Sequence, residues 1–388
     1  MARAKVLNMP NQIPQEKKKK VSRPMDLPLL ILVLLLLTSG LIALFSASYA
    51  TAYYNEGNSF AFISRQLLWA SIGVALMLII SHIDYRIFHR LAFLIMLASI
   101  VLLVIVLFMP EVKGCKRWIF IGSSINIQPS EIAKFAVIIF FAQLIVVLGE
   151  EKMKTFRYGV LPFMAVLGVV GVLMVLEPHL SGTIIIMSIG MSLMLVGGTK
   201  LKWFAIGGGF VAAAVIVVIL TPNLIAYAQD RIEFWIHPES DPLGQGFQTL
   251  QSLYAIGSGG LLGLGLGNSR QKYMYLPESE NDFVFSIWCE ELGFVGAALV
   301  IILFALLIWR GFVVAMKAKD KFGCLIAVGL TVQIGLQALL NIAVVTNTIP
   351  NTGISLPFFS YGGSSLLMLL AQMGVLLSIS RHSNIEKT

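Results

Sequence analysis

Long apolar runs constrain this chain more than any other feature. They lie near residues 27–48, 64–82, 90–109, 131–149, 158–177, 181–198, 203–221, 283–310, 322–348 and 354–380. A helix needs about 20 apolar residues to cross the hydrocarbon core of a bilayer. Of the 388 residues, 57% are hydrophobic and only 12% are charged, whereas soluble domains carry roughly a quarter charged residues. The sequence therefore predicts an all-α integral membrane protein with about ten transmembrane helices.

The distribution of Lys and Arg predicts the orientation of these helices. An even number of spans puts both termini on one side, and 20 of the 28 Lys and Arg residues lie in the tails and loops of that side. Cytoplasmic loops carry the excess of positive charge. We therefore expect a cytoplasmic basic tail at 1–25 that includes the block Lys17–Lys20, a membrane domain at 26–382, and a cytoplasmic tail at 383–388. The one long loop, 222–281, is then extracytoplasmic.

Several other classes of protein do not fit the sequence. Cys115, Cys289 and Cys324 are too few and too scattered for a disulfide framework or a zinc site. The basic residues are dispersed among apolar runs, so no nucleic-acid partner is expected. The glycine run at 257–269 has GxGxxG-like spacings, but a dinucleotide site needs a preceding strand. Short half-helices or a re-entrant loop fit this run better.

Polar residues inside the spans mark a site or a path, because ionisable groups are costly at membrane depth. Glu131 and Lys134 lie three residues apart at the start of the fourth span, so they share a helix face and can pair. That pair either ties helices together or belongs to a substrate site. A polar stripe on the ninth span fits interhelical hydrogen bonding or the lining of a groove. Its members are Gln333, Gln337 and Asn341.

Asp282 lies immediately before the eighth span, at its outer end. An Asp at this place can cap the helix, or it can carry chemistry. Glu290 lies roughly 12 Å further along the helix axis, so the sequence does not support the paired carboxylates of a glycosidase. Six cations fall on the outer side, where they are either tolerated loop residues or a binding surface for an anionic group. They are Lys113, Lys116, Arg117, Arg231, Arg270 and Lys272.

Taken together, five stretches resemble the SEDS family (shape, elongation, division and sporulation), the FtsW, RodA and SpoVE proteins that polymerise peptidoglycan. The resemblance covers about residues 25–382 and is closer to FtsW and SpoVE than to RodA. The stretches are GCKRWI (114–119), QPSEIAK (128–134), the long run from DPLGQGF to LPESENDF (241–283), EELGF (290–294) and PNTGISLPFFSYGGSS (350–365).

The resemblance implies a ten-span fold with an extracytoplasmic site for lipid II, a disaccharide-pentapeptide carried on undecaprenyl pyrophosphate. The essential Asp of the family falls on Asp282, and its Glu and Lys fall on Glu131 and Lys134. One position departs from the family, which usually has Asp after Gln-Pro at the end of the fifth span. This chain has Glu177-Pro178-His179 there, and His can be neutral or charged near neutral pH.

We therefore expect a peptidoglycan glycosyltransferase that polymerises lipid II in a single inverting displacement. Asp282 would accept the proton of the acceptor hydroxyl, and Glu131 and Lys134 would bind substrate. Cations would stabilise the charge on the leaving pyrophosphate. The candidates are Arg270, Lys272, Lys116 and Arg117. No protein metal site or other cofactor is expected, and a divalent cation at the pyrophosphate is left open.

Two other functions remain as alternatives. A lipid II flippase would more naturally show a charged path through the bilayer. A non-catalytic division scaffold has no reason to place an Asp beside a cation cluster. The resemblance also implies partners, namely a class B penicillin-binding transpeptidase and other divisome or elongation proteins, in the bacterial plasma membrane.

Overall fold

The computed structural model describes residues 25–111, 115–121, 125–209, 235–242, 244 and 246–383. Within these ranges, nine helical segments are long and apolar enough to cross a membrane, with α5 and α6 together forming one of them. The helices are α1 (Leu27–Glu56), α2 (Ala61–His82), α3 (Ile87–Val106), α4 (Pro129–Met153), α5 (Phe156–Gly159), α6 (Leu161–Leu176), α7 (Leu180–Gly197), α8 (Phe247–Gly259), α9 (Val284–Met316), α10 (Lys321–Val345) and α11 (Gly363–His382). The protein is thus a multi-pass membrane protein.

The predicted spans coincide with these helices, with two exceptions. The predicted seventh span, 203–221, is helical through residue 209, and its remainder lies outside the described residues, as do most of both tails. The predicted start of the last span at residue 354 is wrong, because residues 350–362 form a loop and α11 begins at Gly363. This loop contains Pro357, which cannot donate a helical hydrogen bond.

The helices pack around α10 and α11, each of which has 67% of its apolar window buried inside the protein. The middle helix α10 contacts α4, α7, α9 and α11, while α2 lies along α11, α3 along α4, and α1 along α9. Apolar side chains of the outer helices remain exposed, as lipid-facing surfaces require. The two most buried helices therefore form the centre of a helical bundle.

A short antiparallel hairpin precedes α4. Its strands are β1 (Ile119–Ile121) and β2 (Ile125–Ile127), and Ile119 pairs with Ile127. Pro129 then stands in the first turn of α4, where its missing amide hydrogen is not needed. The hairpin and the loops before α7, α9 and α11 all come from segments that the sequence places on the extracytoplasmic side. The structure brings residues from these segments together around one cavity.

The glycine run after α8 packs against a break in α9. The main chain of α9 leaves helical geometry at Gly293, where φ is +62°. Phe294 N donates to Gly260 O (2.9 Å), and Leu264 N donates to Glu290 O (3.0 Å). Gly293 must lack a side chain, since a Cβ there would lie 2.4 Å from Gly263 N. The run therefore ends a thirteen-residue helix and turns back against α9, where the sequence predicts short half-helices or a re-entrant loop.

Candidate active site

A cavity of about 310 Å³ lies where the hairpin meets the first turns of several helices. Its polar lining is formed by Arg117, Gln128, Ser130, Glu131, Lys134, His179, Ser181, Glu278, Asn281, Asp282, Gln337, Ser355, Tyr361 and Ser365. The helices α4, α7, α9 and α11 all begin at this cavity. Helix N-termini carry partial positive charge and free amide hydrogens, and they form ready sites for phosphate and other anions. The cavity is thus suited to an anionic substrate.

Two of the predicted binding residues, Glu131 and Lys134, form an ion pair on the first turns of α4. Lys134 Nζ lies 2.7 Å from Glu131 Oε1, and both residues are buried. The predicted pairing on one helix face is confirmed. The pair lies within a single helix and lines the cavity, so it does not tie two helices together. It places one positive and one negative charge on the cavity wall.

Arg117 contributes a second cation to the same wall, just before the hairpin. Its Nη2 donates to the main-chain oxygen of Pro178, while its buried Nε has no hydrogen-bond partner among the described residues. Pro178 lies between two buried ionisable groups. Burial raises the pKa of Glu177 to about 8, although the charge of Arg117 opposes this shift. Burial, together with the charges of Arg117 and Lys134, lowers the pKa of His179 to about 3.

Asp282 also lines the cavity. The N-cap position of α9 is held by Phe283, so Asp282 stands one residue before it. The main-chain oxygen of Asp282 accepts a hydrogen bond from Asn341 Nδ2 at 2.7 Å. Its carboxylate lies beside Gly353, where a Cβ would come within 3.3 Å of Oδ2. The φ of Gly353 is +67°, a conformation that favours glycine.

The loop 350–362 holds Asp282 in place, and sequence reasoning did not assign it this role. Asn341 Nδ2 bridges Asp282 O and Ile354 O. Ser360 Oγ donates to Asn281 O at 2.7 Å, and Tyr361 N donates to Glu280 O at 2.9 Å. The signal was present in the sequence, since a cluster of Asn, Thr, Gly and Ser interrupts an apolar run there.

The polar stripe on α10 divides its members among different tasks. Gln333 Nε2 donates to Gln372 Oε1 on α11 at 3.0 Å, as the interhelical interpretation predicts. Gln337 lines the cavity, as the groove interpretation predicts. Asn341 hydrogen-bonds the main chain at Asp282. Both interpretations of the stripe are therefore correct for different residues.

Three predicted phosphate ligands do not line this cavity. Lys116 is half-buried in an adjoining pocket, with Nζ 3.8 Å from Glu111 Oε1. Arg270 is exposed, and its main-chain N donates to Glu290 Oε1 at 3.0 Å. Lys272 is buried, and its Nζ lies 3.1 Å from Glu291 Oε1 and 2.6 Å from Gly267 O. Of the predicted cations, Arg117 and Lys134 are the ones placed beside Asp282 on one cavity.

Residues 27–385 match the sequence model of the cell cycle protein family FtsW/RodA/SpoVE. The chain belongs to this family. Stage V sporulation protein E of Bacillus subtilis (strain 168) is 42% identical over 365 residues, which cover 92% of this chain and 97% of that protein. A protein of Trichlorobacter lovleyi named probable peptidoglycan glycosyltransferase FtsW is 38% identical over 358 residues, covering 92% and 93% of the two chains.

Solved structures of the FtsW/RodA/SpoVE family share the fold. The rod shape determining protein RodA of Thermus thermophilus matches with a TM-score of 0.68 and 26% identity, covering 93% of this chain and 98% of that one. A chain from a structure titled as a peptidoglycan synthase complex that coordinates polymerization and crosslinking matches with a TM-score of 0.75 and 30% identity, covering 92% and 98%. These matches confirm the predicted family and the predicted fold class of an all-α integral membrane protein.

His179 stands where the resemblance led us to expect an Asp. The structure places this residue on the cavity wall, 7% exposed. Glu177 lies behind the wall and is fully buried, and neither of its carboxylate oxygens has a hydrogen-bond partner among the described residues. Within the same residues, no group of three or more His, Cys, Asp and Glu side chains is arranged to hold a metal ion.

Proposed function

We propose that this protein is a peptidoglycan glycosyltransferase that polymerises lipid II at the outer face of the plasma membrane. One observation carries the proposal. In a chain of the FtsW/RodA/SpoVE family, Asp282, Arg117 and the Glu131–Lys134 pair line a single cavity at which four helices begin. Transfer from a lipid-linked sugar requires a carboxylate that accepts the hydroxyl proton. It also requires positive charge that stabilises the leaving phosphates.

The reaction forms one bond to the anomeric carbon, breaks another, and moves one proton. The acceptor hydroxyl oxygen attacks the anomeric carbon of the donor sugar, and the bond from that carbon to the pyrophosphate oxygen breaks. Asp282 takes the hydroxyl proton, and undecaprenyl pyrophosphate leaves with the electron pair of the broken bond. Displacement from the opposite face converts an α-linked donor into a β-linked glycan. A separate nucleophilic carboxylate is unnecessary, because the acceptor hydroxyl is the nucleophile.

Positive charge in the cavity supports the departure of the pyrophosphate. Arg117 Nε is buried and unpartnered among the described residues, so this guanidinium has a donor to offer. Arg presents its N–H groups in a fork that matches phosphate oxygens. Lys134 is held by Glu131 and adds a fixed charge nearby. Lys116, in a second pocket next to this wall, is proposed to add further positive charge for the pyrophosphate. Lys272 and Arg270 remain predicted ligands, and their described contacts are with other groups.

The test uses purified protein and fluorescent lipid II. We expect glycan chains that separate as a ladder on a gel and that muramidase digests to disaccharide units. The Asp282→Asn variant, purified in parallel, should give no ladder. In proteoliposomes, transport of lipid II without polymer would instead identify a flippase. Neither polymer nor transport from a folded protein would indicate a scaffold. Either result contradicts the proposal.

The outer location of the site is tested by cysteine labelling in intact cells. In a background without Cys115, Cys289 and Cys324, single cysteines replace Ser240 and Lys319, which are both exposed. An impermeant maleimide should label Ser240→Cys, in the loop predicted to be outside, and should leave Lys319→Cys unlabelled. The reverse pattern would overturn the orientation.

A class B penicillin-binding transpeptidase is the proposed partner, together with other divisome or elongation proteins. Support comes from the structural likeness to a chain of a peptidoglycan synthase complex. Cross-linking of glycan strands is a second reaction, so it needs a second active site. The protein should co-purify with its cognate transpeptidase and polymerise faster in its presence. A rate that stays unchanged on adding the cognate transpeptidase would contradict this pairing.

A further inference from the structure

His179 is a buried side chain on the cavity wall that the proposed mechanism does not use. The residue is 7% exposed and lines the same cavity as Asp282. No partner for Nδ1 is present among the described residues. Buried polar side chains are rarely left without a hydrogen bond, and each exception asks for an explanation such as a role in binding.

The first turn of α7 lies beside one of the two ring nitrogens, Nδ1. His179 directly precedes α7, and its ring lies against Gly182, where a Cβ would come within 2.9 Å of Nδ1. The first amide hydrogens of a helix have no partner within the helix, and they carry partial positive charge. The positive end of α7 favours a lone pair on the nitrogen beside it, Nδ1, so the proton of the neutral ring is assigned to Nε2.

The surroundings keep the ring neutral. Burial, with the positive charges of Arg117 and Lys134, lowers the pKa of His179 to about 3. At neutral pH the ring therefore adds no third positive charge to the wall. It offers one N–H donor. Ser130 Oγ is a second neutral group on this cavity, and it is likewise buried without a partner among the described residues.

We propose that His179 is a substrate-binding residue whose Nε2–H donates a hydrogen bond to an uncharged oxygen of the glycan, a sugar hydroxyl or an acetamido carbonyl. This inference rests on the proposed function, because it takes lipid II as the substrate. Arg117 and Lys134 already supply charge for the phosphates, and Asp282 accepts the proton. A neutral donor on the same cavity orients the sugar without attracting the pyrophosphate to the wrong place.

Two amide substitutions separate this role from the alternatives. The Gln side-chain amide reaches about as far as imidazole Nε2, so His179→Gln keeps a donor there. The shorter Asn amide reaches only to about the position of Nδ1, so His179→Asn loses the donor. We expect His179→Asn to raise KM for lipid II roughly 3- to 10-fold, the equivalent of one hydrogen bond between neutral groups, with kcat within about two-fold. The His179→Gln variant should behave like the wild type.

The measurements are kcat and KM for fluorescent lipid II, binding of the same lipid II at equilibrium, and thermal unfolding. His82→Gln, at the exposed end of α2, is the matched control. Equal loss of kcat in both His179 variants would overturn the inference in favour of proton transfer. Losses that follow the unfolding temperature would overturn it in favour of a packing role.

The proposed function and this inference fail in different ways. A folded wild type that makes no glycan contradicts the proposed function. Equilibrium binding of lipid II then decides the inference, which requires weaker binding by His179→Asn than by His179→Gln. A polymerising wild type with equal KM in all three proteins contradicts the inference alone.

Discussion

Two buried polar clusters in this protein use their charges in opposite ways. The loop cluster consists of Ser46, Ser269, Lys272, Glu290 and Glu291, and it joins the 267–272 segment to α1 and α9. Its charged groups all have hydrogen-bond partners. Glu291 Oε1 accepts from Ser46 Oγ (2.6 Å), Ser269 N (3.2 Å) and Lys272 Nζ (3.1 Å). The carboxylate of Glu290 accepts hydrogen bonds from Ser269 Oγ and from the main-chain N of Arg270 and of Gln271.

The cavity cluster is left incomplete. Arg117 Nε, Ser130 Oγ and His179 Nδ1 are buried without hydrogen-bond partners among the described residues. A satisfied polar network makes a structure rigid and specific, whereas an unsatisfied one costs free energy until something binds. Under the proposed function, we therefore expect the loop cluster to hold the chain in shape and the cavity cluster to bind substrate. The experiments below, from the largest expected effect to the smallest, test this division.

The largest effect is expected at Asp282. Asp282→Asn keeps the size of the side chain and leaves the main-chain bond from Asn341 intact, but it removes the proton acceptor. Loss of a general base typically lowers the rate about 10²- to 10⁴-fold. We expect a folded protein with its polymerisation rate reduced to that extent, measured as glycan formed from lipid II.

Asp84→Asn is the matched control, because Asp84 lies in the loop between α2 and α3, away from the cavity. It should polymerise at the wild-type rate. A near-normal rate for Asp282→Asn would remove Asp282 from the reaction. A variant that unfolds would show that Asp282 is needed for the fold, as we expect for the loop cluster.

Lys272 should behave as a structural residue. Lys272→Met leaves the buried carboxylate of Glu291 without its cation, and breaking a buried pair costs about 3–5 kcal/mol. We expect a lower unfolding temperature and poor yield. The double variant Lys272→Met/Glu291→Gln should recover part of the stability, since no unpaired charge remains. Thermal unfolding in detergent measures both.

The sequence predicts instead that Lys272 binds phosphate. A stable Lys272→Met protein with a raised KM for lipid II would support that prediction and break the comparison drawn here. The single and double variants therefore separate the two interpretations.

The sequence predicted the spans well because the thickness of the hydrocarbon core fixes their length. It also predicted the Glu131–Lys134 pair, which depends only on a spacing of three residues in a helix, and the place of Asp282 at the end of a span. It placed the start of the last span too early, since the stretch ISLPFF (354–359) is as apolar as a membrane span. Their main-chain groups instead bond to distant residues such as Asn341.

The sequence could not separate the loop cations from one another. Lys272 pairs with Glu291, 19 residues away, whereas Arg117 reaches Pro178, 61 residues away. Nothing in the local pattern distinguishes the two, because each is a basic residue in a polar loop. Tertiary packing alone decides which cation pairs with a structural carboxylate and which remains available to bind a substrate.

Arg117 and Arg270 offer the finest test of the comparison, because each is an arginine in a loop predicted to be outside. Arg117→Gln removes a charged donor from the cavity wall, and a hydrogen bond to a charged group is worth about 1.5–3 kcal/mol. We therefore expect kcat/KM for lipid II to fall roughly 10- to 100-fold. Arg270→Gln changes an exposed side chain and leaves its main-chain bond to Glu290 in place, so kcat/KM should stay within about two-fold, as for most exposed substitutions. Added salt sharpens the contrast, since the partly buried charge of Arg117 is screened less than the exposed charge of Arg270. The defect of Arg117→Gln should persist at high ionic strength, whereas any small defect of Arg270→Gln should fade. If Arg270→Gln is the weaker enzyme, the phosphate site extends from the cavity onto the 268–272 segment, and the loop cluster serves substrate binding as well as shape.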